Sequence, residues 1–144
     1  KKFIVLTAVF FMGVFFAQEP IKNLSKEDIP IEVANLVDIS TVTFMIDTEP
    51  SFPGGMSAFR KEFSQNFDTS ALEKTDGGTL KTVVYYVVEV DGSILYVKAI
   101  GENESFNKEA ERTLKSIKTK YAPAKVNNLV VRHILRMPLS MNFK

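Results

Sequence analysis

The sequence predicts an α+β fold, a small three-stranded antiparallel sheet with two helices on one face. Three observations carry that prediction. Asp91-Gly92 separates two runs rich in β-branched and aromatic residues, 80–90 and 93–100, which is a hairpin signal because both turn residues tolerate positive φ. Met56, Phe59 and Phe63, and later Phe106, Ala110, Leu114 and Ile117, recur at helical spacing. Residues 130–143 alternate apolar and polar with the period of a strand. The order is helix, strand, strand, helix, strand: a hairpin, a crossover helix and a third strand. A chain of 144 residues, 45% apolar and 24% charged, has the size and composition of one folded domain.

The elements follow in order. Lys1 and Lys2 precede residues 3–17, which are apolar except for Thr7 and Gly13. A charged start and a short apolar run form the signature of a secretory signal peptide. A spanning helix needs about 20 apolar residues, so this run is short for a permanent anchor. Cleavage is expected between Ala17 and Gln18, where the sequence turns polar, although Phe15 is larger than the residue preferred near a cut. An uncleaved inner-membrane anchor is the alternative. The expected organisation is a signal peptide over 1–17, an acidic linker over 18–50 and a folded domain over 51–144, placed in the periplasm.

The linker carries Lys22 and Lys26 against Glu19, Glu27, Asp28, Glu32, Asp38, Asp47 and Glu49. Pro20, Pro30 and Pro50 interrupt any long helix. One short strand is expected at 41–46. Pro53-Gly54-Gly55 then turns the chain into a helix over 55–66, with Phe67 at the end of its apolar face and Arg60, Lys61 and Glu62 on the wet side.

In the hairpin, a two-residue turn pairs Val90 with Ser93, Val88 with Leu95, Tyr86 with Val97 and Val84 with Ala99, making one apolar face. The other face holds Tyr85, Val87, Ile94 and Tyr96. It serves either as a second interface, homodimeric in the simplest case, or as a surface packed under the N-terminal segment. The second helix is expected over 106–117, capped by Ser105 or Asn103, with Lys115, Lys118 and Lys120 at its negative end. Ala122-Pro123 stops it and Asn127-Asn128 makes a turn. In the last strand, Pro138 lacks an N–H, so the strand should lie at a sheet edge.

Several functions are excluded on composition. Eighteen Lys+Arg against 17 Asp+Glu give a net charge of +1, which calls for no nucleic acid. The chain has no Cys, so thiol catalysis and zinc–cysteine sites drop out. His133 is the only histidine, and in an alternating strand it reads as structural rather than as a metal ligand. Pro53-Gly54-Gly55 lacks the Lys and Ser/Thr of a phosphate loop. Glu102, Glu104, Glu109 and Glu111 form no recognisable carboxylate pair, and no nucleophile–base pair is visible. Residues 98–144 hold ten basic and four acidic side chains, read as a solvated helix face. No enzyme activity, cofactor, metal or small-molecule substrate is expected.

Five segments together resemble the C-terminal domain of the TonB family of energy transducers, in the form common among envelope proteins of Gram-negative bacteria. They are Glu49-Pro50-Ser51-Phe52-Pro53-Gly54-Gly55, Val87-Val88-Glu89-Val90-Asp91-Gly92-Ser93-Ile94, Phe106-Asn107-Lys108-Glu109-Ala110, Tyr121-Ala122-Pro123-Ala124-Lys125 and Met137-Pro138-Leu139-Ser140-Met141-Asn142-Phe143. The resemblance covers residues 49–144. It implies a periplasmic domain that binds an outer-membrane transporter, a short transporter segment adding as a strand beside the last strand of the sheet. The implied partner-binding residues are Val131, Arg132, His133, Ile134, Leu135, Arg136 and Met137, blocked by a proline near Leu135. The family often has Trp where Tyr121 stands and Asn-Gly where Asn127-Asn128 stands. Its transducers also keep an anchor with a functional His and a Pro-rich spacer, and neither is present here. The alternative is a soluble periplasmic adaptor with no part in energy transduction.

Overall fold

A computed structural model describes residues 14–16, 24–73 and 77–143. The fold is α+β, as the sequence predicts. The strands are β1 (Val14–Phe16), β2 (Gly78–Val88), β3 (Ile94–Ile100), β4 (Ala124–Val126), β5 (Leu129–Val131) and β6 (His133–Phe143). The helices are α1 (Ile31–Ala34), α2 (Gly55–Asn66) and α3 (Glu104–Ser116). One antiparallel sheet runs β1-β6-β2-β3, and β4 and β5 form a separate hairpin.

The β2–β3 turn is longer by one residue than the sequence suggests. Glu89 donates its N–H to the Ser93 carbonyl (2.9 Å) and Gly92 donates to the Glu89 carbonyl (2.9 Å), so the loop is Val90-Asp91-Gly92. Only Gly92 takes positive φ there (84°), which is the three-residue loop built on a type I turn. The added residue moves the register by one, so Val88 faces Ile94 instead of Leu95. A bulge then restores it, because Tyr96 and Val97 together stand opposite Tyr86, with Tyr96 at φ 53°. Past the bulge the pairs Tyr85–Lys98 and Val84–Ala99 match the expected register. Ile94 packs toward the core, and Leu95 and Tyr96 turn out to solvent.

The helices pack on one face. α2 buries Phe59 and Phe63, and α3 buries Phe106, Ala110 and Leu114, all against Val84, Tyr86, Val88, Val97, Met137, Leu139 and Met141 of the sheet. Both helices start within two residues of the sequence expectation. Asn103 is the cap of α3, its Oδ1 accepting the Phe106 N–H (2.8 Å). Tyr121 closes the end of this core, edge-on to Phe52, with ring centroids 5.2 Å apart. Tyr121 also donates its N–H to the Gly92 carbonyl (2.9 Å), pinning the hairpin turn under the helix layer.

The opposite face is covered as well. Residues 24–48, read from composition as part of an acidic linker, lie against the sheet. Val33, Val37 and Val42 bury themselves on Tyr85, Val87 and Ile134, forming a second core. Of the two roles open for the face around Tyr85 and Val87, packing under the N-terminal segment is the one found. The expected strand at 41–46 does not form. A short 3₁₀ turn (Ile39–Thr41) precedes an extended stretch that touches the sheet region through single bonds: Thr43 N–H to the Arg132 carbonyl (2.9 Å) and an isolated bridge between Thr48 and Lys125. The C-terminal run is also divided. Asn127 and Asn128 adopt positive φ (49° and 62°), as a tight two-residue hairpin requires, and this pairs β5 with β4 rather than joining β5 to β6.

Candidate docking edge

The sheet ends in two edges, and they differ chemically. At the β3 edge, Ala99 donates its N–H to Glu111 Oε1 (2.9 Å) instead of to a strand. Lys98 Nζ stands 4.0 Å from the same carboxylate. The Tyr96–Val97 bulge twists the strand just before it. A side-chain cap, a charge and a bulge are the devices by which folded proteins blunt an exposed edge.

The phase of the main chain shows what β6 offers on the other side. Main-chain groups alternate sides along an antiparallel strand. The Ala99 N–H points away from β2, and the Glu89 N–H points toward β3. Even-numbered residues of β2 therefore direct their N–H and C=O toward β6. Through the Val84–Met137 register, the odd-numbered residues of β6 face β2, and Ile134, Arg136, Pro138, Ser140 and Asn142 face outward. Pro138 thus sits where its missing N–H costs the β2 ladder nothing. β1 occupies this outer edge opposite residues 139–141. Among the described residues, no strand is registered along the outer edge at 133–138.

The seven residues expected to bind a partner separate into four groups. Val131 is not on β6 at all; it belongs to β5 and pairs with Ala124. Arg132 lies between the strands as a tie. Its guanidinium reaches Glu89 (2.9 Å to each carboxylate oxygen), bonds the Thr41 hydroxyl and stands over the Tyr96 ring at 5.5 Å. His133 is 8% exposed, with Nδ1 2.7 Å from the Thr43 carbonyl oxygen, a structural partner for the lone histidine. The remaining four form the edge. Leu135 and Met137 direct their main chain to β2 and their side chains to the helix-side core. Ile134 is fully buried in the second core, and Arg136 is exposed. The Leu135 N–H belongs to the β2 ladder and the Arg136 N–H faces the outer side, so Arg136 is the position at which a proline alters that side alone.

Two polar constellations elsewhere are structural in their bonding. Glu109, 4% exposed, holds Arg112 through two bonds (2.9 and 2.6 Å) and accepts the Asp68 N–H (2.8 Å). Arg112 continues to the Asn66 carbonyl at 2.5 Å, so the pair locks α3 to the end of α2. Burial pushes the Glu109 carboxyl up, but Arg112 and the Asp68 N–H outweigh it and hold it below its ordinary value. Tyr86 and Tyr121 share a buried hydroxyl–hydroxyl bond of 2.9 Å. Burial pushes Tyr121 up to about 12, and burial with the neighbouring Tyr121 raises Tyr86 well above the usual phenol. An open cleft of about 340 Å³ beside the start of α3 has Glu73, Lys108 and Arg112 among its walls, a mixed-charge rim already bonded within itself.

Among the described residues no helix is long and apolar enough to cross a membrane. Compared with family models, curated proteins and solved structures, the chain matches none.

Alternation located β6 in the sequence, but the expected edge position holds only for part of it, because β1 lies on its outer side at 139–141. The sequence named Arg132 as a partner-binding residue rather than as a tie, and it assigned Glu111 no role at the β3 edge. Glu111 acts on a main-chain group twelve residues away, and Arg132 acts at a strand break hidden inside one continuous alternating run.

Proposed function

We propose that this protein is an exported docking module that captures an extended segment of an envelope partner as an added strand on the outer edge of β6. The partner class is the one the TonB resemblance implies, the N-terminal segment of an outer-membrane transporter, and the site of action is the periplasm. The role is binding rather than catalysis. The observation that carries this reading is the contrast between the edges. β3 is capped by Glu111 and bent at Tyr96, whereas β6 is eleven residues long and already accepts a strand. Main-chain bonds to Ile134, Arg136, the Pro138 carbonyl and Ser140 would hold the segment, and side chains on alternating faces would select it.

The test is calorimetric titration of the protein with synthetic peptides copied from transporter N-terminal segments. Binding by the wild type, weakened at least about tenfold by Arg136→Pro, is the expected result. Equal affinity in the two proteins would refute docking at this edge.

A further inference from the structure

β1 is part of the same chain, and it stands on the docking edge. Phe15 is opposite Ser140, whose main-chain groups face outward, so these two residues exchange N–H and C=O bonds. Val14 and Phe16 are opposite Met141 and Leu139, which direct their groups to β2, so Val14 and Phe16 direct theirs away from β6. Within Val14–Phe16, one residue's pair of bonds therefore registers β1 on β6. β1 is thus registered on the side of β6 that faces away from β2, along the edge that an added segment would need.

Building on the docking reading, we infer that β1 is an intrachain plug: an incoming segment takes the edge at 139–141 by displacing Val14–Phe16. The expected cleavage after Ala17 would remove this strand together with the leader. Maturation and opening of the edge would then be one event. A partner could not add along the whole of β6 while the leader remained. The affinity of a site that is open in only a fraction of molecules falls by that fraction. Closure in about nine molecules of ten corresponds to about tenfold weaker capture by the unprocessed chain.

The register supplies a matched pair of variants in the full chain. Phe15→Pro deletes the N–H that bonds Ser140, whereas Val14→Pro deletes one that points away from β6. The probe is a synthetic peptide of residues 12–18 of this chain, Met-Gly-Val-Phe-Phe-Ala-Gln, added to each protein. Two readouts apply: hydrogen exchange of the Ser140 amide without peptide, and peptide affinity by calorimetry. The expected result is a faster-exchanging Ser140 amide and about tenfold tighter peptide binding in Phe15→Pro, with Val14→Pro matching the wild type. Equal exchange rates, or equal affinities, across the three proteins would overturn the plug. Tight binding of this peptide to Phe15→Pro, with no binding of transporter peptides, would uphold the plug and refute the transporter as partner.

Discussion

Two neighbouring prolines should have opposite consequences. Leu135 stands opposite Tyr86 in a hydrogen-bonded pair, so its N–H reaches the Tyr86 carbonyl inside the sheet. Tyr86 is 3% exposed, so Leu135→Pro leaves a buried carbonyl without its donor. That costs about 1–3 kcal/mol. Shortening a side chain that packs on the helix-side core adds about 1 kcal/mol. The total, about 2–4 kcal/mol, is a large part of the roughly 5–15 kcal/mol of a typical domain. Arg136→Pro removes an N–H that faces away from β2, so it leaves the β2 ladder intact and should cost less than Leu135→Pro. Urea unfolding of both variants measures the contrast as a difference in midpoint at constant slope, about 1–3 M for Leu135→Pro and much less for Arg136→Pro. Equal losses, or a greater loss in Arg136→Pro, would mean that the main-chain phase is wrong and that the docking groups have been assigned to the wrong side of β6.

Three further outcomes are expected. Gly92→Ala should destabilise by about 2 kcal/mol or more in thermal melts, because φ is 84° and the new Cβ would stand 1.9 Å from the Tyr121 carbonyl oxygen. Stability should be independent of the Tyr86–Tyr121 pair below pH 10 and fall as pH rises through about 12. Both phenols are raised in the folded state, and the unfolded chain ionises first; unfolding followed with phenolate absorbance checks this. Arg112→Ala should cost about 1–2 kcal/mol, discounted for the half-exposed guanidinium. The lowered Glu109 carboxyl should lend its stabilisation above about pH 4.5 and lose it on acidification, a step missing from acid unfolding of the variant.

The architecture was legible wherever one local rule decided it. Helical spacing gave α2 and α3, and the Asp91-Gly92 turn gave the hairpin. Alternation gave β6, and Pro138 marked its edge. The failures have physical causes. Loop length depends on whether one or both turn residues take positive φ, and Asp91-Gly92 permits either. The compensating bulge at Tyr96 has no sequence signal, because aromatic residues seldom adopt that conformation. The second core was hidden by charge. Val33, Val37 and Val42 are dispersed among acidic residues, and what orders them is the apolar Tyr85–Val87–Ile134 surface, a tertiary partner far along the chain. The direction of each β6 amide was unreadable from sequence, since it is fixed by Ala99 and Glu89 on other strands.

The capped β3 edge has a consequence for assembly. A sheet receptive on both sides can join copies head to tail without limit, as fibres do. Here the Glu111 carboxylate and the turned backbone at Tyr96 close one side. Two copies meeting through β6 would present the same surface to each other, a two-fold arrangement that uses up both receptive strands. Association through the main sheet would therefore terminate at a pair, and under the proposed docking a captured peptide would take the place of the second copy.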